Sequence, residues 1–280
     1  MRMGLGTAIL LLAAPVAFFA LFFAGPFLVL AVESLSDRSG APTAQHYVSV
    51  LTDSYYWKAL ANTLLISLYV TAFCFIAGYP IAYYLIFHLR GAWLRRFVYI
   101  LLVTPLFTSN IVRAFGWIVI LGRRGFVNSS LQSLGIIERP LDLLYSQFSI
   151  VVGLGYILLP VMVLTVCSVL QNVDRTLIEA ARDLGARPSI AFAAITFPLS
   201  LPGVVAGSII VFALSVSAYV IPSILSGGRE VVMSMLIFQQ YTATFRPEIG
   251  ATLSIVLLVV TLLLIGGYML LFDRRARAAW

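Results

Sequence analysis

Charge is what this sequence lacks most. Only 10% of its 280 residues are charged, while 61% are hydrophobic. A soluble globular chain is about a quarter charged, so this one cannot coat a water-facing surface and lipid is the expected solvent. Lysine occurs once, as Lys58 in "YYWKALAN", with no glycine nearby. A phosphate loop of the form G-x-x-x-x-G-K-[ST] needs a lysine to reach the β- and γ-phosphates, so that loop is excluded. Cysteine occurs twice, as Cys74 and Cys167, far apart and inside apolar runs. Both read as small buried hydrophobes. The two histidines, His46 and His88, lie outside those runs, and no His, Cys or carboxylate cluster has metal-ligand spacing. Neither G-x-S-x-G nor H-E-x-x-H is present. Nothing supports an enzyme, and no cofactor or metal is expected on the chain. The formal net charge is +7, but there is no basic cluster with interleaved aromatics, so nucleic acid is not an expected partner.

Long apolar runs are what the sequence has instead. A spanning helix needs roughly 20 mainly apolar residues, and six runs qualify, at about 8–32, 59–87, 97–121, 147–170, 201–225 and 250–272. The expectation is one all-α, multi-pass membrane domain over 1–280 with about six transmembrane helices. The first run exceeds the 7–15 apolar residues of a signal peptide and reads as a retained anchor. Ten basic residues fall on one side of this topology: Arg2, Arg90, Arg95, Arg96, Arg175, Arg182, Arg187, Arg274, Arg275 and Arg277. Seven fall on the other: Arg38, Lys58, Arg123, Arg124, Arg139, Arg229 and Arg246. The positive-inside rule then puts both termini in the cytoplasm.

The stretch "IPSILSGGREVV" contains Leu225-Ser226-Gly227-Gly228, the first letters of the signature loop of ABC-type ATPases. The orientation places it outside, where there is no ATP, and the lysine argument already excludes a nucleotide site. A tight turn at the end of the fifth span is the better reading.

The most informative segment is the loop at about 171–198, placed in the cytoplasm by charge. It reads as a short helix, a break and a second helix. Asp174 is an expected N-cap. Leu177, Ile178, Ala181 and Leu184 follow at helical spacing as an apolar stripe. Arg175, Glu179, Arg182 and Asp183 take the other side, with Arg175–Glu179 and Glu179–Arg182 at pairing distance along the helix. Gly185 stands where a helix end favours a left-handed residue. Pro188 opposes continuation, so a second helix is expected from Ser189. Such a helix either lies on lipid headgroups or plugs into a cleft on another protein.

"EAARDLGARPSIAFAAITFP" resembles the EAA loop of bacterial ABC importer permeases. Glu179, Ala180, Ala181, Gly185, Ile195 and Pro198 match that pattern, and Phe197 stands where leucine is usual. "VRAFGW", "GFVNSSL", "ILLP", "FPLSLPG" and "VFALSVSAYVIPSILSGG" are similar to the spermidine/putrescine-type permeases. The resemblance implies a type I ABC importer permease fold in a bacterial inner membrane. It implies a second permease subunit, of a different sequence, and an external solute-binding protein. It also implies an ABC ATPase dimer that binds the ATP and docks on Glu179, Ala180, Ala181, Arg182, Asp183, Leu184 and Gly185. A polyamine is the implied solute. The same machinery serves other small solutes, including organic anions, phosphonates, amino-acid derivatives and iron complexes. An ion-coupled secondary transporter is the remaining alternative, although the spans lack the titratable groups it would need.

Within the spans, Arg113 is the one deep charge, with Asn110 one turn away on the same face. It either bridges carbonyls and locks the third span or belongs to a pathway or gate. Trp117 and Tyr219 join it as pathway or gate candidates, and packing or interfacial anchoring is the alternative for each aromatic.

Overall fold

Prolines and glycines divide this nearly continuous apolar sequence into helices. The computed structural model contains α1 (Leu5–Phe19), α2 (Gly25–Ser34), α3 (Gln45–Thr52), α4 (Ser54–Phe87), α5 (Ala92–Val103), α6 (Asn110–Leu121) and α7 (Phe126–Ser133). It continues with α8 (Gln147–Leu170), α9 (Arg175–Asp183), α10 (Pro188–Ala191), α11 (Phe197–Val216), α12 (Val220–Leu225), α13 (Met233–Thr242) and α14 (Pro247–Ala278). The structure describes residues 5–89 and 91–278, and side chains over 12–89 and 91–272. Arg2, Arg90 and the side chains of Arg274, Arg275 and Arg277, on which part of the charge argument rests, lie outside the described residues. Among the described residues there is no strand, only an isolated antiparallel bridge between Ser36 and Pro42.

Five helical stretches are long and apolar enough to cross a membrane: Leu12–Ser34, Ser54–Phe87, Gln147–Leu170, Pro188–Val216 and Pro247–Phe272. The expected single helix over 97–121 does not form. Ala92–Phe107 and Asn110–Ser133 meet at a 103° bend, and they make a sixth crossing if the bent pair is one span. Pro105 explains the break. It lacks an N–H and sits at the start of a 3-10 turn, Thr104–Phe107, after which Thr108 and Ser109 are extended.

The expected span at 201–225 is also redrawn. Its helix starts at Pro188 and runs to Val216, and α12 follows only after a break. A π-turn, Phe192–Thr196, makes the longer run possible, with the Phe197 N–H bonded to the Phe192 carbonyl. The wider turn relaxes the backbone just where Pro198 would otherwise clash with it.

The described residues divide into two compact units, one within 1–58 and 236–260, the other within 59–235 and 261–280. In the first, Thr252 Oγ1 donates to the Ser34 carbonyl at 3.2 Å and Arg38 Nε approaches the buried Glu248 Oε1 at 3.3 Å.

The second unit holds the main core, in which α8 packs along α11 and buries Met162, Val163, Val166 and Cys167 with Val70, Cys74 and Ala82 of α4. Both cysteines are free and buried, as expected. Lipid removes the hydrophobic drive between helices, so close packing must hold them. Gly155 shows how close it is: a Cβ there would stand 2.5 Å from the Phe73 ring. Hydroxyls in α4 are satisfied along their own helix, with Thr63, Ser67 and Thr71 each donating to the carbonyl four residues back.

Candidate functional site

The loop after α8 forms the expected short helix. Asp174 caps α9 by accepting the Thr176 N–H at 2.9 Å, which holds its carboxyl below the usual carboxylate range. At the other end Gly185 takes φ +85°, with its N–H bonded to the Arg182 carbonyl and the Ala186 N–H bonded to the Ala181 carbonyl. These two bonds close a Schellman cap. The second helix starts at Pro188, one residue earlier than expected, with proline in the first-turn position that costs no hydrogen bond.

The apolar stripe divides. Ile178 packs against the core and Ala181 is half-buried, while Leu177 is half-exposed and Leu184 is 90% exposed. Glu179, Ala180, Arg182, Asp183 and Gly185 are exposed as well. The expected Arg175–Glu179 and Glu179–Arg182 ion pairs are absent from the described residues, where the ion pairs are Arg38–Glu248 and Arg123–Asp142. Arg175 turns the other way. Its Nη2 donates to the Ile86 carbonyl at 2.9 Å and its guanidinium lies 5.7 Å from the Phe87 ring centroid. A cation suits the end of α4, where carbonyls lack helical partners.

The rest of the loop is anchored by rings. Phe192 meets Tyr79 and Tyr83 edge-on at 5.9 and 5.2 Å, and Phe197 meets Tyr79 at 5.6 Å. Tyr79 Oη and Ser200 Oγ are 2.8 Å apart, which ties α4 to α11. No motif marks Tyr79 or Tyr83. Only the fold makes them the seat of the loop. α9 is therefore a short, capped helix fastened on one side and open on the other.

The membrane candidates fall into two places. Arg113 and Asn110 sit together at the break before α6. Arg113 Nη2 donates to the Thr108 carbonyl and to Asn110 Oδ1, each at 2.6 Å, and Nε reaches the Ser109 carbonyl at 3.3 Å. The side chain thus bonds the Thr108 carbonyl at the bend and shares the Ser109 carbonyl with its own backbone N–H. Trp117, one turn on, meets Tyr156 of α8 edge-on at 5.8 Å. Tyr219 stands apart from them in the sequence of elements, at the N-cap of α12, which packs against α6.

A polar cluster that no motif announced lies at the opposite end of α8. Asn62 Nδ2 donates to Glu230 Oε2 at 2.9 Å and to the Val231 carbonyl at 3.0 Å. Gln147 Nε2 donates to Asn62 Oδ1 at 2.8 Å and to Glu230 Oε2 at 3.4 Å. Tyr145 and Gly227 hold the two segments in register. Both have positive φ, +60° and +54°, and the Tyr145 ring lies where a Cβ on Gly227 would be. The Gly-Gly turn read from "LSGG" is therefore present, with a neighbour that requires glycine. These residues come from segments 85 and 168 positions apart, and nothing in the sequence signals their meeting.

Apolar helices of spanning length, with a short helix fastened on one side and open on the other, make this a multi-pass membrane subunit. The comparisons agree with that class. The family of binding-protein-dependent transport system inner membrane components matches residues 74–278, and the chain belongs to it. It is a non-catalytic membrane subunit of an ABC importer. It is 32% identical to the spermidine/putrescine transport system permease protein PotB of Escherichia coli K12, over 84% of this chain and 82% of that one. To the protein of the same name from Haemophilus influenzae it is also 32% identical, over 86% and 85% of the two chains. Its fold matches a chain from the crystal structure of a bacterial ABC transporter involved in alginate import. The TM-score is 0.79, with 18% identity and 96% coverage of both chains.

Proposed function

We propose that this permease imports a polyamine of the spermidine or putrescine class. An external binding protein delivers the solute, and a separate ABC ATPase dimer hydrolyses the ATP. The chain itself binds no nucleotide. Both termini lie in the cytoplasm, and a second, different permease completes the pathway. Identity to the PotB proteins over most of the chain supports the solute class.

The observation that carries the coupling is α9. It is held from behind by Ile178 and by Arg175 on the end of α4, and the π-turn that follows is seated on α4 by the Phe192 and Phe197 rings. It presents Glu179, Ala180, Arg182, Asp183, Leu184 and Gly185 outward, with Ala181 at the edge of that surface. An exposed leucine beside charged residues suits a protein cleft, and the fastened side carries force into α4 and α11. Asn110, Arg113, Trp117 and Tyr219 serve the wall of the pathway, with Arg113 locking the break rather than meeting solute.

The test is proteoliposomes that contain this chain with its co-purifying subunits. Addition of binding protein and labelled putrescine should raise ATP hydrolysis and accumulate label. Stimulation by another solute, with none by polyamines, would reject the solute class and leave the coupling reading intact. An ATPase that fails to co-purify would reject the coupling reading.

A further inference from the structure

The polar cluster of Asn62, Gln147 and Glu230 contains a charge that its hydrogen bonds do not need. Glu230 Oε2 accepts from both amides, and the amide oxygen of a glutamine would accept the same two bonds. Among the described residues the carboxylate has no ion pair. Arg123 and Arg229 both bear on Asp142. Arg123 makes a two-toothed contact with Asp142, at 2.6 and 2.9 Å. Arg229, next in sequence to Glu230, adds to the pull that keeps the Asp142 carboxyl below the usual carboxylate range. A carboxylate held by neutral amides keeps its negative charge available to a cationic guest.

The surroundings are built rather than loose. Tyr145 keeps a left-handed backbone, which is uncommon for a bulky residue, and its ring fills the space above Gly227. Ser146 follows and caps α8 in a reciprocal box with Ser149, so Gln147 leaves the helix start in one fixed direction. Asn62 holds the other side through the Val231 carbonyl. The cluster lies one α8 length, 24 residues, from the coupling helix, about 36 Å at 1.5 Å per residue. That is the end expected to meet solute and not ATPase.

We propose that Glu230, oriented by Asn62 and Gln147, is a binding subsite for the ammonium group of an alkylamine solute at the mouth of the permease. This rests on the polyamine reading above. The carboxylate supplies a charge-assisted acceptor for an N–H donor, and Asn62 and Gln147 hold it in place without neutralising it.

The test uses the whole importer in proteoliposomes with its binding protein and labelled putrescine. Glu230→Gln keeps the hydrogen bonds and removes the charge. The half-saturating concentration of putrescine-loaded binding protein should rise about tenfold, as expected for loss of one charge-assisted bond, while thermal stability and solute-free ATP hydrolysis stay unchanged. Asp142→Asn removes an equal charge at the same end and should leave that concentration alone. If Glu230→Gln behaves as the parent does, or if Asp142→Asn shifts it equally, the subsite is refuted while the polyamine reading stands. Equal weakening of solute-free binding-protein docking by Glu230→Gln would assign the charge to docking and also refute it. A parent importer that accumulates no polyamine would overturn both readings.

Discussion

The two ends of α8 are built from different materials. At the Leu170 end, an arginine on the Ile86 carbonyl and a Schellman cap fix α9, rings seat the turn after it, and the open surface mixes charge with an exposed leucine. At the Gln147 end, amides and hydroxyls make the contacts, two left-handed residues fix the chain path and a carboxylate is held without a cation. Apolar and aromatic packing resists displacement and passes motion onward. A polar cluster orients a charge with little bulk. The first end suits force from a partner, and the second suits a small charged guest.

Breaking the coupling end should have the largest effect. Gly185→Val puts a β-branched residue at φ +85°, where a side chain costs roughly 1–2 kcal/mol. No neighbour lies within 4 Å of the added Cβ, so the damage is confined to the helix end. Glu179→Lys reverses a charge on the open face, and at a docked interface that mismatch costs about 2–5 kcal/mol. Both variants should reach the membrane and assemble with the second permease. Both should lose solute-stimulated ATP hydrolysis or the ATPase itself on purification. Normal import by both variants would dismiss α9 as the coupling element.

Loosening the seat comes next. Phe192→Ala removes one ring from contact with Tyr79 and Tyr83 and should lower stability by about 2 kcal/mol, less than a fully buried phenylalanine would cost. ATP hydrolysis should persist while transport per ATP falls. Equal falls in both would make Phe192 a folding residue only.

A sharper contrast comes from the core. Gly155→Ala forces a methyl against Phe73 at 2.5 Å, so the complex should lose about 1–3 kcal/mol with its coupling ratio unchanged. A melting curve and a transport-per-ATP measurement together decide this.

The smallest effect belongs to Arg123–Asp142. Arg123 holds the folded-state pKa of the exposed Asp142 below its ordinary value. The stabilisation is therefore complete above the unfolded pKa, about 4, and fades as pH falls through the lower folded value. Asp142→Asn should leave the melting temperature nearly unchanged at pH 7 and erase part of its decline in acid. A large loss at pH 7 would mean the pair does more than an exposed ion pair can.

Composition determined the solvent of this protein, because a chain this poor in charge cannot face water on all sides. Periodicity and punctuation determined α8 and α9, including the Asp174 cap and the Gly185 stop, since both rest on bonds within a few residues. Local rules also led to errors. The Arg175–Glu179 pair was expected from spacing, but the carbonyls ending α4 compete for the same guanidinium and win. An apolar run over 97–121 cannot reveal its own bend, because hydropathy averages over Pro105 and the extended residues after it. The long helix from Pro188 depends on a π-turn that no composition rule marks. Tertiary structure alone decided the seat of aromatic rings behind the turn after α9 and the meeting of Asn62, Gln147 and Glu230. Those contacts join residues tens to more than a hundred positions apart, and a sequence pattern specifies only what lies within a turn or two of itself.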